Sequence, residues 1–227
     1  MSSGAGTSLK WLAGVVGVSV GLPLLLVYAG YWYAAKDLPE SLPRASRAYP
    51  EQIRRLYWQV EQRSNGQPVV RGYGPVGMLW ATFSREGGEW NPSVALPGHG
   101  ARVVEVPAGY SQGRRQLRDA ALAVRLGKER TASELIDLVL DRAPFAGGTR
   151  GLAAAAQRNY GVPPEALARE EALALVVTML SPTRYSPHCP QSGFKQRFLK
   201  VAQQQGLPAD AALLAAMHRL RPLPCHA

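Results

Sequence analysis

No charged residue occurs between Trp11 and Ala35. A helix through these 25 residues, rising about 1.5 Å each, exceeds the roughly 30 Å of a bilayer core. The aromatics Trp11, Tyr28, Tyr31, Trp32 and Tyr33 cluster at its two ends, where an interfacial belt sits. Pro23 is tolerated inside a membrane helix. The run also lacks a small-x-small cleavage site at its end and is longer than a signal-peptide core, which argues against removal. The reading is a tail at 1–10 and a retained single-pass anchor at 11–35.

Acidic residues are scarce: 16 against 26 Lys and Arg, a net charge of +10. Such a charge attracts polyanions without choosing among nucleic acid, anionic lipid headgroups and phosphate-bearing substrates. No recognised nucleic-acid motif accompanies it, and the anchor puts the chain at a membrane, so nucleic acid is set aside as a partner. Basic residues are nearly absent before the anchor. Only Lys10 lies close, whereas Lys36, Arg44, Arg47, Arg54 and Arg55 follow it. That count alone puts the C-terminal part inside the cell.

Cysteine is limited to Cys189 and Cys225, each next to a histidine. Adjacent His-Cys pairs lack the usual two-to-four-residue spacing of metal ligands. A disulfide, free thiols and a metal site all stay open. Internal repeats and low-complexity tracts are absent. A hydrophobic fraction of 46% over 227 residues suffices for one folded domain behind the anchor.

Residues 36–49 read as a linker. Pro50 suits a first helical turn, and Ile53, Leu56, Tyr57 and Val60 recur at helical spacing up to about Gln62. Residues 63–113 are rich in glycine and proline. Their short apolar runs "VGMLWATF" and "ARVVEV" read as short strands or irregular segments. From Arg114 the pattern is helical. Leu117, Ala121, Val124 and Leu126 mark one amphipathic helix closing near Gly127. Thr131 and Glu134 form a capping box for the next, to about Asp141. A tight turn at Gly147–Gly148 feeds a helix rich in small residues, Ala154 to Ala156. "EEALALVVTML" is apolar nearly all round and reads as a core helix. Leu213, Met217 and Leu220 mark the last one. Lys195, Arg197 and Lys200 read as the wet side of a further amphipathic helix.

The string from Gln116 to Pro187 resembles the C-terminal half of a family 51 peptidoglycan glycosyltransferase, the monofunctional transglycosylases and the corresponding domain of class A penicillin-binding proteins. "RQLRD" sets Arg115 and Asp119 where the family has Arg and Glu. "ELIDLVLD", Glu134 to Asp141, is similar to Glu-Ile-Leu-Glu-x-Tyr-Leu-Asn. Phe145, Gly148, Gly151, Leu152, Ala155, Ala156, Tyr160 and Gly161 follow the order of its Gly-x-x-Gly and Tyr-Phe-Gly elements. "LAREEALALVV" and "SPTRYSP" resemble its last helix and exit. Several ordered motifs are specific where a single Gly-x-x-Gly is not. The resemblance implies a mainly α, lysozyme-like glycosyltransferase domain behind the transmembrane helix. The domain is expected over 50–227, with 63–113 divergent, 114–187 family-like and 188–227 a helical tail. It also implies a bacterial inner-membrane protein with a periplasmic ectodomain, against the basic-residue count and in agreement with a Cys189–Cys225 disulfide.

The polar motifs of that chemistry are missing. Polymerising a lipid-linked disaccharide needs a general base and cationic groups, or a metal ion, at the departing diphosphate. The family's Glu-Asp-x-x-Phe-x-x-His-x-Gly motif is absent, and "AGYSQGRR" is at best a remnant of its Ser/Gln motif. Asp119 is one methylene shorter than the family's Glu, and Gln116, Asp141, Ala153 and Val162 replace polar family residues. The expectation is a degenerate relative that binds glycan, lipid-linked precursor or an envelope protein. Its alternative is a divergent polymerase using Asp119 with Glu86 or Glu89. A weaker one is a lytic transglycosylase-like enzyme, suggested by "EGGEWNPSVA", with Glu86 or Glu89 as its acid. Arg115, Arg118 and Arg150 are the expected substrate contacts, and Arg114, Arg115 and Arg118 otherwise read as a solvated helix face. No cofactor is certain, no metal ligand is assigned, and only retained polymerisation leaves room for a divalent metal.

Overall fold

The structure, a computed structural model, describes residues 5–61, 66–86, 89–145, 148–179, 185, 193–208 and 210–220. It is mainly helical. The helices run α1 (Ala5–Ala35), α2 (Glu51–Glu61), α3 (Pro75–Phe83), α4 (Pro92–Arg102), α5 (Gln112–Glu129), α6 (Ala132–Arg142), α7 (Leu152–Tyr160), α8 (Arg169–Thr178), α9 (Phe194–Gln204) and α10 (Ala211–His218). The architecture is consistent with a lysozyme-like α domain behind an N-terminal apolar helix.

α8 is the centre of the core. Every residue from Glu171 to Thr178 is buried, as its all-round apolar sequence requires. α2 packs on it with Ile53, Leu56, Tyr57 and Val60, joined by Trp58. α9 supplies Phe194 and Phe198, stacked at 5.4 Å, and α10 supplies Leu213 and Ala216. The Tyr160 hydroxyl at the end of α7 donates to the carbonyl of Ala216, which pins α10 to α7. Thr131 and Glu134 form the expected capping box at α6.

Four readings are corrected. "VGMLWATF" is α3, a helix, and α4 follows it, so much of 63–113 is helical. Pro75 and Pro92 sit in first turns, where proline is preorganised, and Asn91 caps α4 by accepting from the Ser93 amide. Glycine and proline inside α4 hid it, yet they serve packing. A Cβ on Gly100 would stand 3.3 Å from a Leu126 methyl, so α4 and α5 pack closely there and a side chain would require Leu126 to shift. Gly127 does not end α5, which continues to Glu129. It is buried against Pro97 of α4 and the carbonyl of Arg71. Arg118 is not on a solvated face: it is buried. Arg197 likewise leaves the wet side of α9 to pair with Glu61 at 2.6 Å.

The stretch at 36–49 is fastened along its length. Leu38, Leu42 and Tyr49 are buried. Arg125, Arg130 and Arg142 donate to the carbonyls of Pro39, Leu42 and Arg44. On α6, Asp141 accepts from the Ser46 amide at 2.8 Å and hydroxyl at 2.7 Å, and Asp137 accepts from the Tyr49 amide and from Arg54. Asp141 also meets the Tyr49 hydroxyl, whose titration is raised by burial and by that carboxylate.

α1 is apolar and mostly exposed to the surroundings from Val18 onward, and it contains Pro23. Its window Val18–Ala35 has a mean hydropathy of 1.4, so by length and composition it could cross a membrane. Its last turns join the domain: Ala34 is buried, and Tyr31 and Ala35 pack against the core.

The loop between α6 and α7 is a clip. Pro144 and Arg150 form an antiparallel bridge, and the Gly151 amide donates to the carbonyl of Ala143. Gly148 and Gly151 have φ of +73° and +82°. A Cβ on Gly151 would lie 2.4 Å from the carbonyl oxygen of Asp141, so only glycine fits. Gly147, the other half of the expected turn, lies outside the described residues.

Candidate binding site around Asp119

α5 opens at Ser111, whose hydroxyl accepts from the Arg114 amide, and its first two turns carry the basic residues. Arg118 and Asp119 fall where the helix turns from solvent into the domain. The Asp119 carboxylate is 3.6 Å from the Arg118 guanidinium, with side chains 19% and 4% exposed. Arg118 donates through Nη2 to the carbonyl of Glu105 at 3.1 Å. Its Nε and Nη1, and Oδ1 of Asp119, are buried without a hydrogen-bond partner among the described residues. Buried polar atoms of this kind are normally satisfied by water or ligand.

Glu105 ties a third element to the site. Its carboxylate accepts from Arg150, in the α6–α7 clip, at 3.2 Å. The line Arg150–Glu105–Arg118–Asp119 therefore crosses the clip, the loop after α4 and the start of α5. Burial pushes the Asp119 carboxyl above the ordinary carboxylate range. The charges of Arg118, Arg115 and Arg102 pull the other way.

The structure brings four of the six expected catalytic and binding residues into one neighbourhood: Arg115, Arg118, Asp119 and Arg150. Arg115 is exposed beside Asp119 and Arg118 is buried against it. Arg150 reaches the same place only through Glu105. Glu86 and Glu89 face each other across a two-residue antiparallel pairing of β1 (Arg85–Glu86) with β2 (Glu89–Trp90). Their side chains lie outside what the structure describes, as do Cys189 and Cys225. Sequence reasoning passed over Arg102 and gave Glu105 no role, because both lie in a run read for its valines. The signal was there: the two charges in "ARVVEV", Arg102 and Glu105, interrupt an apolar run and so have a reason to be there. No group of three or more His, Cys, Asp or Glu side chains converges as a metal site among the described residues.

Residues 104–205 match the family model described as Transglycosylase, a segment that takes in Glu105, Arg115, Arg118, Asp119 and Arg150. The C-terminal part of the chain is thus similar to that family. Over 92 residues the chain is 29% identical to the biosynthetic peptidoglycan transglycosylase of Mesorhizobium japonicum, an alignment covering 40% of this chain and 39% of that protein. The chain thus spans about two-fifths of the length of this curated relative. These likenesses support a transglycosylase-like domain in the C-terminal part of the chain.

Proposed function

We propose that this chain is a degenerate, membrane-anchored member of the bacterial cell envelope that binds a lipid-linked peptidoglycan precursor through the Asp119 site without polymerising it. α1 is its single-pass anchor, and the domain lies on the periplasmic side of the inner membrane. The observation that carries this reading is the surroundings of Asp119. Polymerisation needs a base on the acceptor hydroxyl as well as cations at the leaving diphosphate. The described groups acting on Asp119 supply the cations, Arg118, Arg115 and Arg102, and the sequence lacks the family's Glu-Asp motif that would supply the base. Such a site suits an anionic diphosphate with a sugar hydroxyl directed at Asp119. Arg118 and Asp119 between them hold vacant donors and an acceptor.

A second reading, a divergent polymerase with Glu86 or Glu89 as the base, is favoured by one observation. Burial raises the Asp119 carboxyl above its ordinary range, the direction in which a carboxyl becomes a better catalytic acid. The full chain in nanodiscs, offered labelled lipid II, separates the two. The binding reading expects retention of lipid II without glycan chains, and weaker retention in Arg115→Ala and Arg150→Ala. Glycan chains made by the wild type and lost in Asp119→Ala and Glu86→Ala would establish the polymerase instead.

A further inference from the structure

Glu105 holds two arginines of the Asp119 site in different ways. Its main-chain carbonyl accepts from Arg118 Nη2 at 3.1 Å, and its carboxylate accepts from Arg150 Nη1 at 3.2 Å. The first contact lies inside the domain and the second on its surface. Arg118 is buried, whereas the Glu105 and Arg150 side chains are 80% and 61% exposed. An exposed pair of this kind is weak, so either partner can exchange it for another.

The backbones that bear the pair are fixed. Arg150 is bridged to Pro144 and followed by Gly151, whose close approach to Asp141 locks the clip. Val103 and Val104, just before Glu105, are buried. The side chains alone are left to move. A carboxylate on a guanidinium takes the same N–H groups that a phosphate oxygen takes. Glu105 is therefore an anion already seated on one of the cations that would meet the ligand. Because it is tethered, its effective concentration at Arg150 exceeds that of a free anion carrying the same charge. A phospholipid phosphodiester carries one negative charge, as the carboxylate does, and gains nothing by exchange. A diphosphate between lipid and sugar carries two, and attraction to a cation scales with charge. It also has a second grip within the site, because Nε and Nη1 of Arg118 are buried without a hydrogen-bond partner among the described residues.

We propose that Glu105 is a specificity residue of this site: its carboxylate occupies Arg150 until a diphosphate displaces it, and it keeps singly charged phospholipid headgroups off that arginine. The proposal rests on the reading of the Asp119 site as a binder of a lipid-linked precursor. On that reading the site works among a large excess of phosphodiesters, and a built-in competitor of equal charge is what separates the scarce ligand from the abundant one. Discrimination of this kind costs some affinity for the right ligand, since Glu105 must be displaced each time.

The test titrates labelled lipid II into the full chain in nanodiscs of phosphatidylcholine, with and without phosphatidylglycerol. Glu105→Gln removes the charge but leaves the main-chain carbonyl, and with it the bond from Arg118. In phosphatidylcholine the variant should bind lipid II roughly 1.5- to 5-fold more tightly than the wild type. Phosphatidylglycerol should weaken binding by the variant more than by the wild type. Both differences should vanish when Arg150→Ala is added. A variant that binds no tighter, or that phosphatidylglycerol affects no more than the wild type, overturns the proposal. So does a gain that survives Arg150→Ala, which would make Glu105 a general source of repulsion. If neither the wild type nor any variant binds lipid II, the reading of the Asp119 site itself fails and the proposal with it.

Discussion

The Arg118 guanidinium stands 3.6 Å from the Asp119 carboxylate, and the facing atoms of both, Nη1 and Oδ1, are buried without hydrogen bonds among the described residues. The pair is charge-matched yet incompletely satisfied. Removing Arg118 takes away the largest influence that opposes burial at Asp119. In Arg118→Met the carboxyl should therefore titrate at still higher pH than in the wild type. The sign for stability follows. A carboxyl whose folded value is raised costs the folded state when ionised, and the cost is relieved as pH falls through that value. The variant should lose stability at neutral pH and recover part of it on acidification. Carboxyl carbon shifts followed against pH, with Asp119 selectively assigned, check this. A titration that moves down, or stays put, contradicts it.

His99, on α4, is held against the Tyr57 hydroxyl at 2.9 Å. Burial, reinforced by the charge of Arg102, lowers its titration from 6.5 to about 4. The unfolded chain binds a proton there at pH values where the folded chain does not. Stability should decline as the pH drops from about 6.5 towards 4 and change little through this residue below that. A depression of this size corresponds to roughly 3 kcal/mol at the acid end. Urea unfolding in detergent at several pH values measures it. His99→Gln should flatten the dependence in that window.

Gly151 carries a backbone demand that no other residue meets. Its φ of +82° is unfavourable for a side chain, and a Cβ would overlap the Asp141 carbonyl. Gly151→Ala should destabilise the domain by about 3 kcal/mol or more. Gly148→Ala, with positive φ but open space, should cost only about 1 kcal/mol. Thermal unfolding of the two variants side by side tests whether the close approach, rather than φ alone, sets the difference.

Asp141→Ala should release the middle of the 36–49 stretch. It strips the partners from the Ser46 amide, the Ser46 hydroxyl and the Tyr49 hydroxyl. Losing charged-acceptor bonds of this kind costs about 1.5–3 kcal/mol. Arg150→Ala breaks only a pair whose side chains are 61% and 80% exposed, and its stability effect should stay under about 1 kcal/mol. Proteolysis rates near Ser46 distinguish local release from general unfolding.

Much of the fold was legible because its signals are local. The capping box at Thr131, the all-round apolar α8 and the helical spacing of Ile53, Leu56, Tyr57 and Val60 need no tertiary knowledge. α3 and α4 were not legible because their logic is tertiary. Gly100 and Gly127 look like helix breakers until Leu126 and Pro97 are seen against them. The two readings of Arg118, substrate contact and solvated face, are not separable in the sequence for a related reason. Sequence spacing puts it on a helix, but only packing decides whether the carbonyl of Glu105 replaces water around it. The convergence of Arg150 with Asp119 through Glu105 joins positions far apart in the chain, which no single-sequence pattern encodes.

Fully extended, the 36–49 stretch would reach roughly 46–50 Å, enough to let a domain sweep a wide volume around its anchor. Here Leu38, Leu42, Tyr49 and the Ser46–Asp141 bonds use up that length along the domain surface. The stretch is a mast step, not a leash. With α1 embedded as proposed, the Asp119 site stands at one fixed height above the bilayer and samples only what the membrane itself brings to it.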